Sequence, residues 1–89
     1  MDPYEVRIYP EMGGEIKELL DKIKDKEFSC TCSLWRGKKK QVLDSFLGYP
    51  HDGGLADKDG NKWWVYYRCK VCGYDWSFWK ITNRLKKEG

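Results

Sequence analysis

Residues Lys62 to Ile81 read KWWVYYRCKVCGYDWSFWKI, two aromatic, strand-like runs joined at Cys69-Lys70-Val71-Cys72-Gly73. Alternation along the first run puts Trp63, Val65 and Tyr67 on the face of Cys69, and Trp64, Tyr66 and Arg68 on the other. The stretch predicts a β-hairpin whose turn is a cysteine knuckle, with the second run, from Gly73 through Trp79, as its returning strand. Both faces are aromatic, so both are expected to touch something.

Upstream, Tyr4 to Tyr9 alternates between Pro3 and Pro10, which predicts a short half-buried strand. Gly13-Gly14 then breaks the chain. Ile16, Leu19, Leu20 and Ile23 follow at i, i+3, i+4 and i+7, the spacing of one apolar helix stripe, which predicts a helix from about Glu15 to Lys26. Glu15 and Glu18 near its start and Lys24 and Lys26 near its end suit the helix dipole. The charged face reads most simply as solvated surface.

Between the helix and the hairpin, Arg36 to Lys40 forms a basic turn, RGKKK, and Gln41 to Leu47 fits either a strand or a short helix. Gly48 to Asn61, GYPHDGGLADKDGN, reads as a long loop or as two turns around a short arm. These parts make one α+β domain, a small zinc-ribbon-like antiparallel sheet with an N-terminal strand and one amphipathic helix packed on it. Residues 1–28 supply strand and helix, 29–81 the ribbon-like part, and 82–89 a basic tail.

A chain of 89 residues buries only about 60–65% of the surface it exposes when unfolded, so its core leaves a thin stability margin that a metal would widen. The composition is 40% hydrophobic and 16% aromatic, with five Trp and six Tyr, which excludes a disordered tail. No apolar run is long enough to span a bilayer, and MDPYEVRIYPE has neither a basic n-region nor an apolar core, so no membrane association and a cytoplasmic location are expected. Abundant Lys with a single Gln leans toward proteins of hot environments.

In a reducing compartment, two close cysteine pairs point to a metal rather than to disulfides. Cys30-x-Cys32 and Cys69-x-x-Cys72 together supply four thiolates, the shell that tetrahedral zinc prefers. Gly73 follows the second pair, where the backbone must turn toward the sulfurs. Four protein ligands leave no open coordination position, so one structural zinc ion is expected and no enzyme activity. A redox CxxC would open a helix, whereas Gly73 onward looks like a strand. His51-Asp52 is the one histidine pair available for acid–base chemistry, and its Gly-rich surroundings favour a turn role; no small-molecule substrate is expected.

The segment Cys69-Lys70-Val71-Cys72-Gly73-Tyr74-Asp75-Trp76 resembles the second knuckle of zinc ribbons in transcription elongation factor S and the small zinc-ribbon subunits of RNA polymerases. In those proteins a loop with acidic residues precedes the strand entering the knuckle, as Asp57-Lys58-Asp59-Gly60 precedes Trp63 to Cys69 here. The resemblance spans roughly residues 55 to 79 and implies a zinc ribbon associated with transcription. Lys58 interrupts the acids that the family holds side by side, so transcript cleavage does not carry over.

Net charge is +3, divided between −3 in residues 1–28 and +6 in residues 29–89. The basic part, interleaved with aromatics, leads to the expectation of a partner that is nucleic acid, DNA or RNA, or a nucleoprotein machine of transcription or the ribosome. The residues expected to meet it are Arg36, Lys38, Lys39, Lys40, Arg68 and Lys70, with further bases at Lys62, Lys80, Arg84, Lys86 and Lys87. The alternative is a protein-interaction module that docks through its aromatic surface and the 48–61 loop without touching nucleic acid.

Overall fold

The computed structural model describes residues 5–26, 28–34 and 43–88. Four strands form one antiparallel sheet in the order β1-β2-β3-β4: β1 (Val6–Arg7), β2 (Phe46–Ala56), β3 (Lys62–Arg68) and β4 (Asp75–Ser77). Among the described residues, the α-helices of more than one turn that accompany it are α1 (Gly14–Lys26) and α2 (Phe78–Glu88). The architecture is therefore the expected small α+β fold, with one helix more than the sequence suggests.

The apolar stripe of α1 is fully used. Ile16, Leu19, Leu20 and Ile23 are all buried, and they join Val65 and Tyr67 of β3 in one core. At roughly 25 cal/mol per Å² of apolar surface removed from water, each such side chain contributes about 1.5–3 kcal/mol. Alternation along β3 falls as predicted, with Val65, Tyr67 and Cys69 inward and Arg68 exposed. In β1 the strand is shorter than expected: Val6 is exposed, and Ile8, just past the last paired residue, carries the burial.

Gly14 explains how α1 starts. Its φ of +57° suits glycine, and a Cβ there would lie 2.6 Å from the carbonyl oxygen of Asp57. The helix is thereby seated on the 57–60 turn. Lys58 N–H donates to the Met12 carbonyl at 2.7 Å, and Ala56 N–H donates to the Glu15 carboxylate at 2.8 Å.

Three expectations are corrected. Residues 48–56 are not loop: they belong to β2 and pair with β3 from Phe46 opposite Tyr67 to Ala56 opposite Lys62. The glycines that suggest a loop stand instead where a neighbour comes close. The register slips between Pro50 and Leu55, which both lie opposite Trp63, and at that irregularity a Cβ on Gly54 would sit 1.7 Å from the Trp63 carbonyl oxygen.

The returning strand ends at Ser77 rather than running through Trp79, and residues 82–88 are helical rather than a tail. Phe78, Ile81 and Leu85 form an i, i+3, i+7 stripe; Ile81 and Leu85 are buried, and Phe78 packs on the core. Burial of that stripe against the sheet overrides the strand preference of Trp and Phe. Lys86 and Lys87 fall in the last turn, where the helix dipole favours cations.

Candidate metal centre and the groove beside it

The end of α1 delivers the first cysteine pair. Phe28 N–H closes the helix onto the Ile23 carbonyl at 3.3 Å, and the Phe28 ring is buried edge-on against Tyr67 and Trp76. Cys30, two residues on, is thereby fixed against the core. The second pair comes from the β3–β4 turn. Cys69 N–H donates to the Tyr74 carbonyl and Gly73 N–H to the Cys69 carbonyl, each at 2.9 Å, and Gly73 turns the chain at φ +77°. No atom crowds a Cβ at Gly73, so its conformation and not its size is what the turn requires.

All four sulfurs lie within 4.8 Å of one another. The pairs interleave: Cys30 Sγ is 3.7 Å from Cys72 Sγ, and Cys32 Sγ is 3.7 Å from Cys69 Sγ. A disulfide needs sulfurs about 2.05 Å apart. Tetrahedral coordination with metal–sulfur bonds of about 2.3 Å puts the sulfurs about 3.8 Å apart. The spacing therefore suits four ligands around one ion and not a pair of covalent bonds.

Surrounding donors fit the same geometry. Trp76 Nε1–H donates to Cys30 Sγ at 3.3 Å and the Cys72 backbone N–H to Cys69 Sγ at 3.4 Å, bonds that favour sulfur carrying negative charge. Desolvation by burial, reinforced by the hydrogen bond with Cys69, pushes the Cys32 thiol up to about 12 in the bare protein. Thiolates so placed need a cation to coexist. Burial, with the sulfurs of Cys69 and Cys30 beside it, likewise drives the Tyr67 hydroxyl upward, which keeps it neutral under the cluster. The four cysteines can hold a metal ion, and Cys30 and Cys69 are buried while Cys72 reaches the surface.

A groove of about 550 Å³ runs along α2 next to this cluster. Tyr74, Trp76 and Trp79 supply its aromatic surface, and Lys80, Arg84 and Lys87 its charge. No carboxylate among the described residues lines it. Lys80 Nζ bonds the Tyr74 hydroxyl at 3.0 Å and lies 4.9 Å from the Tyr74 ring centre and 5.5 Å from that of Trp79. Arg84 bonds the Ser29 carbonyl and stacks 4.5 Å from the Phe28 ring centre, tying α2 to the first cysteine pair.

Of the residues expected to meet nucleic acid, Arg36, Lys38, Lys39 and Lys40 lie outside the described residues. Arg68 and Lys70 line one concavity with Arg7 and Asp44. Arg68 is already engaged, bonding Asp75 at 2.9 Å, Glu5 at 3.3 Å and the Tyr66 hydroxyl at 3.2 Å. Lys80, Arg84 and Lys87 are legible as bases in the sequence, but their grouping with Tyr74 and Trp79 depends on α2 being a helix.

Two other polar groups have structural employment. The His51 ring accepts the Gly53 N–H at Nδ1, 2.9 Å away, and packs edge-on to Trp64; its role is structural, but within strand β2 rather than in the expected turn. The Asp57 carboxylate accepts the backbone N–H groups of Asp59 and Asn61 and the indole N–H of Trp63, at 2.8, 3.0 and 3.0 Å. Those bonds, the indole's foremost, hold its carboxyl below the usual carboxylate range. Asp57 thus organises its own turn. Among the described residues, no helix is long and apolar enough to cross a membrane. No family model, curated protein or solved structure matches the chain.

Proposed function

We propose that the chain is a cytoplasmic module, held together by one structural zinc ion on Cys30, Cys32, Cys69 and Cys72, that binds nucleic acid or a nucleoprotein machine. The observation that carries the binding half is the groove along α2, whose charged lining among the described residues is entirely basic and whose walls are aromatic. Zinc, when bound, supplies a cross-link between chain segments about forty residues apart, and no open position for chemistry. The residues do the rest: Trp76 and the Cys72 amide stabilise thiolate, and the core behind Cys69 excludes water. Exposed Leu34 and Val71, one on each knuckle, favour a second reading in which the knuckle tips dock on protein.

Purified, reduced protein is expected to carry one zinc per chain, and Cys72→Ser to lose both metal and cooperative unfolding. Structural zinc contributes on the order of 10–16 kcal/mol in zinc-finger peptides, comparable to the whole stability of a domain of this size. A metal-free protein melting at the same temperature would end the zinc half. The binding half is tested by fluorescence anisotropy with labelled single- and double-stranded oligonucleotides across a salt series. Expected is binding at low salt that weakens log-linearly as salt rises, with a shallower slope after Lys38, Lys39 and Lys40 are changed together to Ala. Absence of binding at low salt hands the function to protein docking.

A further inference from the structure

Resting on the nucleic-acid reading above, the geometry points to a narrower ligand: a single strand that crosses the Trp79–Lys80 ridge, placing bases in the concavities on either side of it. The second concavity, of about 430 Å³, lies on the outer face of the sheet and shares Trp79 and Lys80 with the α2 groove. Its other aromatic walls are Tyr49, Trp64 and Tyr66. One side-chain pair thus stands between two aromatic hollows, with Lys80 positioned over two rings and Lys87 on the far side.

The choice of a single strand follows from what the two hollows offer. Tyr74 and Trp79 are 47% and 49% exposed, flat apolar surface that a folded protein otherwise covers. Only unpaired bases can present a face to such rings, because in a duplex both faces are occupied by neighbouring pairs. The charge points the same way. Asp75 is the only carboxylate lining the outer hollow among the described residues, and it shares Arg68 with Glu5, at 2.9 and 3.3 Å, so the place for phosphate is the Lys80 ridge and the carboxylate-free α2 groove, with the outer hollow offering rings. Ser77, 8% exposed, also lines the outer hollow, and its buried hydroxyl has no hydrogen-bond partner among the described residues. An acidic peptide would match the lysines but leave the rings unused.

The test uses zinc-loaded full chain and three probes at equal salt: dT15, rU15 and a 15-base-pair duplex. The expected result is that dT15 or rU15 binds more tightly than the duplex, and that Trp79→Ala weakens this binding roughly 5- to 150-fold, the equivalent of removing one base–aromatic stack. The salt slope should not change in that variant, and Trp79→Phe should restore most of the affinity. Lys80→Ala combined with Lys87→Ala should flatten the slope by about 0.7 for each phosphate no longer neutralised. Equal binding of all probes with no effect of Trp79→Ala overturns the single-strand inference and leaves general nucleic-acid binding standing. No binding of any probe at about 20 mM salt, where phosphate-driven affinity is strong, removes both. Zinc content of one per chain in every variant keeps misfolding from imitating a weakened site.

Discussion

The indole N–H of Trp76 donates to the sulfur of Cys30 at 3.3 Å, while the same ring forms part of the groove wall along α2. Phe28 meets it edge-on at 5.4 Å, Tyr74 at 5.3 Å, and the Arg84 guanidinium lies 5.4 Å from its centre. A single side chain therefore belongs to both the sulfur cluster and the groove along α2. Whatever loosens the sulfurs also loosens the wall.

Replacing Trp76 with Phe keeps most of the ring and removes the N–H. Partners of this outer kind typically account for about 10–100-fold in metal affinity. Trp76→Phe is expected to weaken zinc binding by about that factor in a chelator competition, with far-ultraviolet circular dichroism of the zinc-loaded protein unchanged. Unaltered affinity would show that the N–H···S bond contributes nothing to the site.

Gly54 should tolerate no side chain. Its missing Cβ leaves room for the Trp63 carbonyl at the point where β2 slips register, so Gly54→Ala must push the two strands apart or abolish the irregularity. Overpacking of this kind costs typically about 1–3 kcal/mol, and backbone has less room to yield than side chain. Urea unfolding of the zinc-loaded variant measures it. A substitution within about 0.5 kcal/mol of the parent, the usual range for a harmless surface change, would mean the strands part freely there.

Asp57 carries a turn with its charge. Because its folded-state pKa lies below the ordinary value, the ionised form stabilises the fold; that contribution is complete above the unfolded pKa of about 4 and is lost only as pH falls through the depressed value. Asp57→Ala, which deletes all three bonds, should lower the melting temperature more than Asp57→Asn, which keeps one acceptor oxygen. The gap between parent and Ala variant should stay constant from about pH 5 to pH 9. A gap that fades as pH falls from neutral toward 5 would contradict a carboxyl held low by Trp63 and the two backbone amides.

The helix α1 and the four cysteines can be read from residue type and spacing alone, since an i, i+3, i+4, i+7 stripe and two close thiol pairs each have few structural meanings. The rest needs tertiary information. Gly48 and Gly54 read as loop because glycine signals either a turn or a close approach, and only the positions of Ile8 and Trp63 show that it is the second. Phe78 and Trp79 carry strand propensity, and the stripe that makes them helical is completed by Ile81 and Leu85, at and beyond the end of the hairpin stretch. Without α2 the groove is invisible, because its members meet only when Lys80, Arg84 and Lys87 share a helix.

The order of the sheet also governs how this chain behaves in a crowd of its own kind. The two long strands, of 11 and 7 residues, are central, while the borders are stubs of two and three residues. An open border is where one molecule's sheet extends into the next, and stubs this short present few unpaired backbone groups to start that process. An aromatic-rich protein can then be concentrated without seeding fibres, so long as the folded state persists. Once it is lost, the Pro- and Gly-free strand KWWVYYR is exposed, and clumping rather than reversible unfolding is the expected fate of metal-stripped protein on heating.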